Sequence, residues 1–106
     1  VYALSGLSEM QPIPNDFVLN SAYPNPFNPV TTLEFGIPVD GDVSIEVYNL
    51  QGRVVEVLVK RHMEAGYHGV VWNADNYSSG LYFVKLSAQS VKGNKYSRTQ
   101  KLMLVK

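Results

Sequence analysis

Cysteine is absent from this 106-residue chain. That removes disulfides, thiol nucleophiles and zinc–thiolate sites, and leaves the redox compartment open. No apolar run approaches the roughly 20 residues that cross a bilayer as a helix, so membrane insertion is not expected. No segment keeps helical spacing either, because Gly and Pro recur too often along the chain. The start, Val1-Tyr2-Ala3-Leu4, lacks a basic region followed by an apolar one. No secretory leader is therefore expected, and the chain reads as an excised module or the mature end of something longer. Formal net charge is zero and the cations are thinly spread, which argues against a nucleic-acid partner.

Catalytic vocabulary is equally sparse. No serine sits in a Gly-x-Ser-x-Gly elbow, and the glycines are isolated turn residues instead of a phosphate cradle. His68 lies among glycine and aliphatic residues in a strand-like run and reads as structural. His62, in Arg61-His62-Met63-Glu64, reads as a solvated loop residue. Neither histidine has a carboxylate at a fixed helical offset, so no catalytic site, metal site or cofactor is expected.

What the chain does have is Tyr23-Pro24-Asn25-Pro26-Phe27-Asn28-Pro29, three prolines and two asparagines in seven residues. Each proline fixes its own φ, lacks a backbone donor and pushes the preceding residue toward an extended conformation. The segment predicts a stiff, kinked corner, with Phe27 free to plug a core. Residues 1–16 show little periodicity and read as a linker to an upstream domain. From Phe17 to Lys106, short β-prone runs are broken by turn residues every eight to twelve positions, which is the pattern of a sandwich.

Within that region, Leu33, Phe35 and Ile37 alternate with polar or small neighbours. Val43, Ile45 and Val47 form the cleanest inward set, against Ser44, Glu46 and Tyr48. Asn49-Leu50-Gln51-Gly52 is a hairpin turn with glycine at the position needing positive φ. Val54 to Val59 returns from it, Tyr67 to Trp72 follows with Trp72 inward, and Tyr82, Val84 and Leu86 face the core of the next strand. Tyr96 to Val105 is the last. The expected fold is all-β, a single immunoglobulin-like antiparallel β-sandwich of about seven strands.

Charge is laid out unevenly. All nine acidic residues fall between Glu9 and Asp75, and Lys85, Lys92, Lys95, Arg98, Lys101 and Lys106 follow with no acid among them. Basic residues on a strand edge block unwanted pairing, and here a final strand with an unprotected edge would need such a block. A basic tail can equally be presented to a receptor. Two oxygen-rich loops, Asp40-Gly41-Asp42 and Asn73-Ala74-Asp75-Asn76, raise the question of calcium. Asn73, Asp75 and Asn76 are the candidates, although neither loop has dedicated calcium-loop spacing and polar turn chemistry explains both.

Six landmarks occur in one order. They are the proline corner; Leu33-Glu34-Phe35 with Ile37-Pro38; and Val47-Tyr48-Asn49 with Gly52-Arg53. Then come Ala65-Gly66-Tyr67-His68 ahead of Val70-Val71-Trp72-Asn73; Ser79-Gly80-Leu81-Tyr82-Phe83-Val84-Lys85-Leu86; and Lys101-Leu102-Met103-Leu104-Val105-Lys106. In this order they closely resemble the type A C-terminal sorting domain of type IX secretion, a family related to the immunoglobulin-like domain of the flagellar hook-capping protein. Asn73-Ala74-Asp75-Asn76 departs from the family's usual Asp-Gly after the tryptophan.

The resemblance implies a non-catalytic signal that sends an attached upstream cargo from the periplasm to the outside or the cell surface. Its implied partners are the outer-membrane translocon and its processing protease. The expected recognition patch combines Lys101, Leu102, Met103, Leu104, Val105 and Lys106 with Gly66 and Gly80 as loop-shaping positions. Two alternatives stand beside it: a structural interaction module of the hook-capping type, and a carbohydrate-binding module. The last would need an exposed aromatic platform, for which Trp72, Tyr67, Tyr77 and Tyr82 are the available rings. The oligomeric state is left open.

Overall fold

A computed structural model describes residues 13–106, and most of the 1–16 linker expectation lies outside the described residues. Among the described residues seven strands run in chain order: β1 (Val18–Leu19), β2 (Val30–Ile37), β3 (Gly41–Tyr48), β4 (Val54–Met63), β5 (Gly66–Asn73), β6 (Gly80–Ser90) and β7 (Lys95–Leu104). They form two antiparallel sheets, ordered β1-β2-β5 and β4-β3-β6-β7. This is the all-β sandwich that the alternation predicts. Compared with the constant-type immunoglobulin arrangement, one strand has moved across: β4 extends the β3 edge instead of joining β5.

The core follows the period-2 pattern. Leu33, Phe35 and Ile37 of β2 face Val43, Ile45 and Val47 of β3, Val84 and Leu86 of β6, and Leu102 and Leu104 of β7, every one at most 1 % exposed. Burying each such side chain stabilises the fold by about 1.5–3 kcal/mol. Trp72 from β5 closes the cluster at one end, also 1 % exposed.

The loop assignments need one correction. β4 continues to Met63 instead of stopping near Val59, because Gly41-Asp42-Val43-Ser44 of β3 pairs with Met63-His62-Arg61-Lys60. His62 is therefore a strand residue. It stays exposed, and its Nδ1 lies 3.1 Å from Asp42 Oδ1 across the ladder. The Arg61-His62-Met63 run reads as a loop because Lys60, Arg61 and His62 are three consecutive exposed polar residues without period-2 alternation, although pairing from Val59 to Met63 is regular. The two bulges, between Ile45/Glu46 and Val47/Tyr48, lie earlier in β4. His68 is structural as expected: its ring packs 5.5 Å from Phe35, and Nε2 lies 2.8 Å from the Glu64 carbonyl.

Gly41 is required by a close approach. A Cβ there would meet the Gln89 carbonyl oxygen and sit 2.8 Å from Ser90 Cα, both backbone atoms that cannot step aside. That glycine begins β3 instead of ending the preceding turn. Pro14 is buried and packs with Tyr67 over the outer side of Gly36, where an added Cβ would meet both.

The pairings fix which loops share an end. Gly80 pairs with Leu104 and Tyr48 with both Val54 and Phe83, so the β3–β4 hairpin, the 74–79 loop and the end of β7 lie together. Gly41, Met63 and Ser90 mark the opposite end.

Candidate functional site

Residues 20–27 cross from one sheet to the other. Tyr23 still bridges to Thr32 of β2, whereas Phe27 forms a parallel bridge with Leu104 of β7. Proline drives the crossing, since a segment with three missing donors and fixed φ angles cannot extend a regular ladder. The peptide bonds preceding Pro24, Pro26 and Pro29 are all cis. Phe27 is 2 % exposed and lies 5.4 Å from the Trp72 ring, so it plugs the sandwich as the corner predicts. Thr31, fully buried, donates its hydroxyl to the Pro24 carbonyl at 2.7 Å and ties the corner to β2.

The contact with β7 is an improvised rung-by-rung ladder. Phe27 N–H donates to Met103 O at 2.9 Å, and Val105 N–H donates to Phe27 O at 3.0 Å. One rung earlier a side chain substitutes for a peptide group. Asn25 Nδ2 donates to Lys101 O at 2.8 Å, while its Oδ1 accepts from Met103 N–H at 3.0 Å. Gln100 repeats the device from the other side: Oε1 accepts from Ala22 N–H and Nε2 donates to Asn20 O, both at 2.8 Å. A carboxamide carries one donor group and one acceptor in the spacing of a peptide, which is why Asn and Gln occupy these positions. The expectation of an unprotected final strand thus fails over its C-terminal half, because the corner covers that edge.

The 73–79 loop completes the end. Asn73 Oδ1 accepts from Asp75 N–H at 3.0 Å, a local turn bond. Lys106 N–H donates to Ser79 Oγ at 3.0 Å, and Lys106 Nζ reaches the Asp75 carbonyl. Gly80 opens β6 at φ +148°, a value that side-chain-bearing residues avoid. Among the described residues, no group of three or more His, Asp or Glu side chains gathers around a common point.

Trp72 lies among Phe27, Tyr77 and Tyr82, with the tyrosine centroids at 5.6 and 5.5 Å. Its Nε1 is buried without a partner among the described residues. The Tyr82 hydroxyl donates to Ser78 O at 2.7 Å, and the Tyr77 hydroxyl is shared between Val55 O and Glu56 Oε1 at 2.8 Å each. Hydrogen bonding to the Glu56 carboxylate, helped by partial burial, raises the Tyr77 pKa. Glu46 acts on Tyr48 in the same sense. With Trp72 and Tyr82 in the core, these rings hold the end together and offer no flat exposed platform for a sugar. Tyr67, exposed, stands apart from them against Gly36.

The structure brings most of the expected positions together and separates one. The proline corner, Trp72, Gly80 and Lys101 to Lys106 share one end. Gly66, at φ +143°, pairs with Ile37 at the other end, beside the β4–β5 turn. Within the final run the side chains alternate as far as Val105, and Lys106, beyond the strand, is exposed as well. Leu102 and Leu104 are core residues, while Lys101, Met103, Val105 and Lys106 face outward. Sequence reasoning missed Asn25 and Gln100 as stitching groups. Asn25 sits in plain view between two prolines, but its partner lies 76 residues away and nothing local names it.

The family model described as "Secretion system C-terminal sorting domain" matches residues 21–104, the span from the start of the corner to the end of β7. No curated protein matches the chain.

Proposed function

Because the chain belongs to the secretion system C-terminal sorting domain family, we propose that the corner and the end of β7 form one preassembled surface read by the type IX translocon. The family membership makes the domain a sorting signal for export toward the cell surface or the outside. The finer reading is that an attached upstream cargo passes through the periplasm, the translocon engages the outward side chains Lys101, Met103 and Val105, and a processing protease acts afterwards. One observation carries this: the corner locks the last strand in place while leaving those three side chains exposed. A rigid surface loses little conformational entropy when a receptor binds it.

Gly80 supports the surface by shaping the neighbouring loop. Gly66, at the far end, supports the β4–β5 turn and belongs to a different surface. Asn73 and Asp75 serve the same loop as turn and clasp residues, and any calcium bound by Asn73, Asp75 and Asn76 would have to compete with the Asn73 turn bond.

Deleting residues 102–106 would not test this reading, because Leu102 and Leu104 are core and the deletion removes folding along with recognition. The informative variant is Lys101→Glu with Met103→Glu, fused behind a periplasmic leader and fluorescent reporter in hosts with and without the translocon. Translocon-dependent release should fall at least about tenfold, a difference of roughly 1.4 kcal/mol in recognition. Lys92→Glu at the opposite end should leave it unchanged. Equal loss in both variants, or none in either, would refute the assignment of the surface, provided circular dichroism shows each variant folded.

A further inference from the structure

The corner covers only part of the β7 edge. The even-numbered residues of β7 pair through hydrogen bonds with β6, so the backbone groups of the odd-numbered residues point away from it. The Lys101 carbonyl, both groups of Met103 and the Val105 N–H are taken by Asn25 and Phe27. The outward backbone groups at Lys95, Ser97 and Thr99 have no partner among the described residues, and all three residues are exposed. An open edge of this kind is a template for an added strand.

We propose that the Lys95–Thr99 edge binds an extended acidic segment of a partner protein by strand addition, with carboxylates on one face of the incoming strand and apolar residues on the other. Charge selects the occupant. Lys95 and Lys101 project on the outer face and Arg98 flanks the edge, and none has a carboxylate within salt-bridge distance among the described residues. Side chains of the added strand that fall on the outer face lie beside Lys95 and Lys101, where Asp or Glu is favoured. Those on the other face lie toward Tyr96 and Phe17, whose rings stack at 5.0 Å, where apolar side chains gain contact.

The same charges turn away a second copy of this chain, because β7 against β7 sets Lys and Arg against themselves. The other edges are poorer templates for an acidic strand. β4 is interrupted by bulges in its pairing with β3, and β5 carries no Lys or Arg. The lysines that guard the edge against self-pairing thus make it selective for an acidic partner.

This inference stands apart from the sorting assignment, since it is tested by binding to the 106-residue chain alone. The probe is a capped synthetic heptapeptide of alternating glutamate and valine, titrated against the isotope-labelled protein by NMR. The expected result is amide shift changes centred on Lys95, Ser97 and Thr99, with hydrogen exchange there slowed at saturation. A peptide N-methylated at the alternate amides facing β7 should bind at least about tenfold more weakly, because it cannot donate across the ladder. Lys95→Glu with Lys101→Glu should weaken the glutamate peptide at least about fivefold and admit a lysine–valine peptide instead. The idea is overturned if the unmodified peptide causes no perturbation, if the perturbation centres on β4 or β5, if N-methylation makes no difference, or if the free protein dimerises through β7.

Discussion

Phe27→Ala should be among the most damaging single changes in this domain, and the structure allows its size to be estimated. The ring is 2 % exposed and packs 5.4 Å from Trp72. Truncating a buried Phe to Ala costs about 3–5 kcal/mol, the transfer term plus the cavity left behind. Domains of this size have about 5–15 kcal/mol in total, so a large share of stability is at stake. The thermal midpoint should fall by roughly 12–40 °C, at about 4–8 °C per kcal/mol for a domain of this length.

The loss should also have a local signature. The backbone amide at position 27 donates to Met103 O and the Val105 amide donates to the carbonyl at position 27, so these two amides should lose more exchange protection than amides of the central β3–β6 pair. Trp72 is the sole tryptophan, and its emission should shift to the red as water enters beside it. The assay is urea unfolding followed by Trp72 fluorescence and circular dichroism together, with hydrogen exchange on the folded variant. A loss below about 1 kcal/mol, with the amides of position 27 and Val105 as protected as before, would refute both the plug and the role of the corner in sealing β7.

Three smaller predictions follow from the same contacts. Asn25→Ala removes two hydrogen bonds to β7, and because water can partly replace them at this exposed position the cost should be about 1 kcal/mol in urea unfolding, with Asn25→Asp no better because its second oxygen would face Lys101 O. Gly80→Ala should cost about 1–3 kcal/mol for the strained φ, whereas Gly69→Ala, whose added Cβ has Leu33 O at 3.8 Å as its nearest neighbour, should stay within about 0.5 kcal/mol. The Tyr77 pKa is raised on folding by the Glu56 hydrogen bond, so its contribution is complete below about pH 10, the unfolded phenol value, and is lost as pH rises through the higher folded value; Tyr77→Phe should flatten that part of the alkaline decline in chemical denaturation, leaving the share of Tyr48.

Much of the fold was legible because alternation is a local property. Leu33, Phe35 and Ile37 declare an inward face through their spacing alone, and so do Val43, Ile45 and Val47 and Tyr82, Val84 and Leu86. Legibility failed where pairing overrode alternation. Arg61-His62-Met63 has no clean pattern, yet it is strand because Gly41 to Val43 pairs with it. The candidate surface was legible only in part. The last residues were identifiable as a strand with a basic character, but which of them look outward depends on a register that places Leu102 and Leu104 in the core.

The sequence by itself determined the all-β class, the rigid corner between Tyr23 and Pro29, the burial of Trp72 and the absence of thiol chemistry, since each follows from residue type and nearest neighbours. The tertiary structure alone decided where the corner goes. Its prolines say that it cannot join a regular ladder, but not that Asn25 and Phe27 supply the rungs that β7 lacks. It also parted Gly66 from Gly80, two glycines with nearly equal φ at opposite ends of the sandwich. Contacts between residues far apart in the chain are set by how the sheets close on a shared core, and that closure is a property of the whole chain.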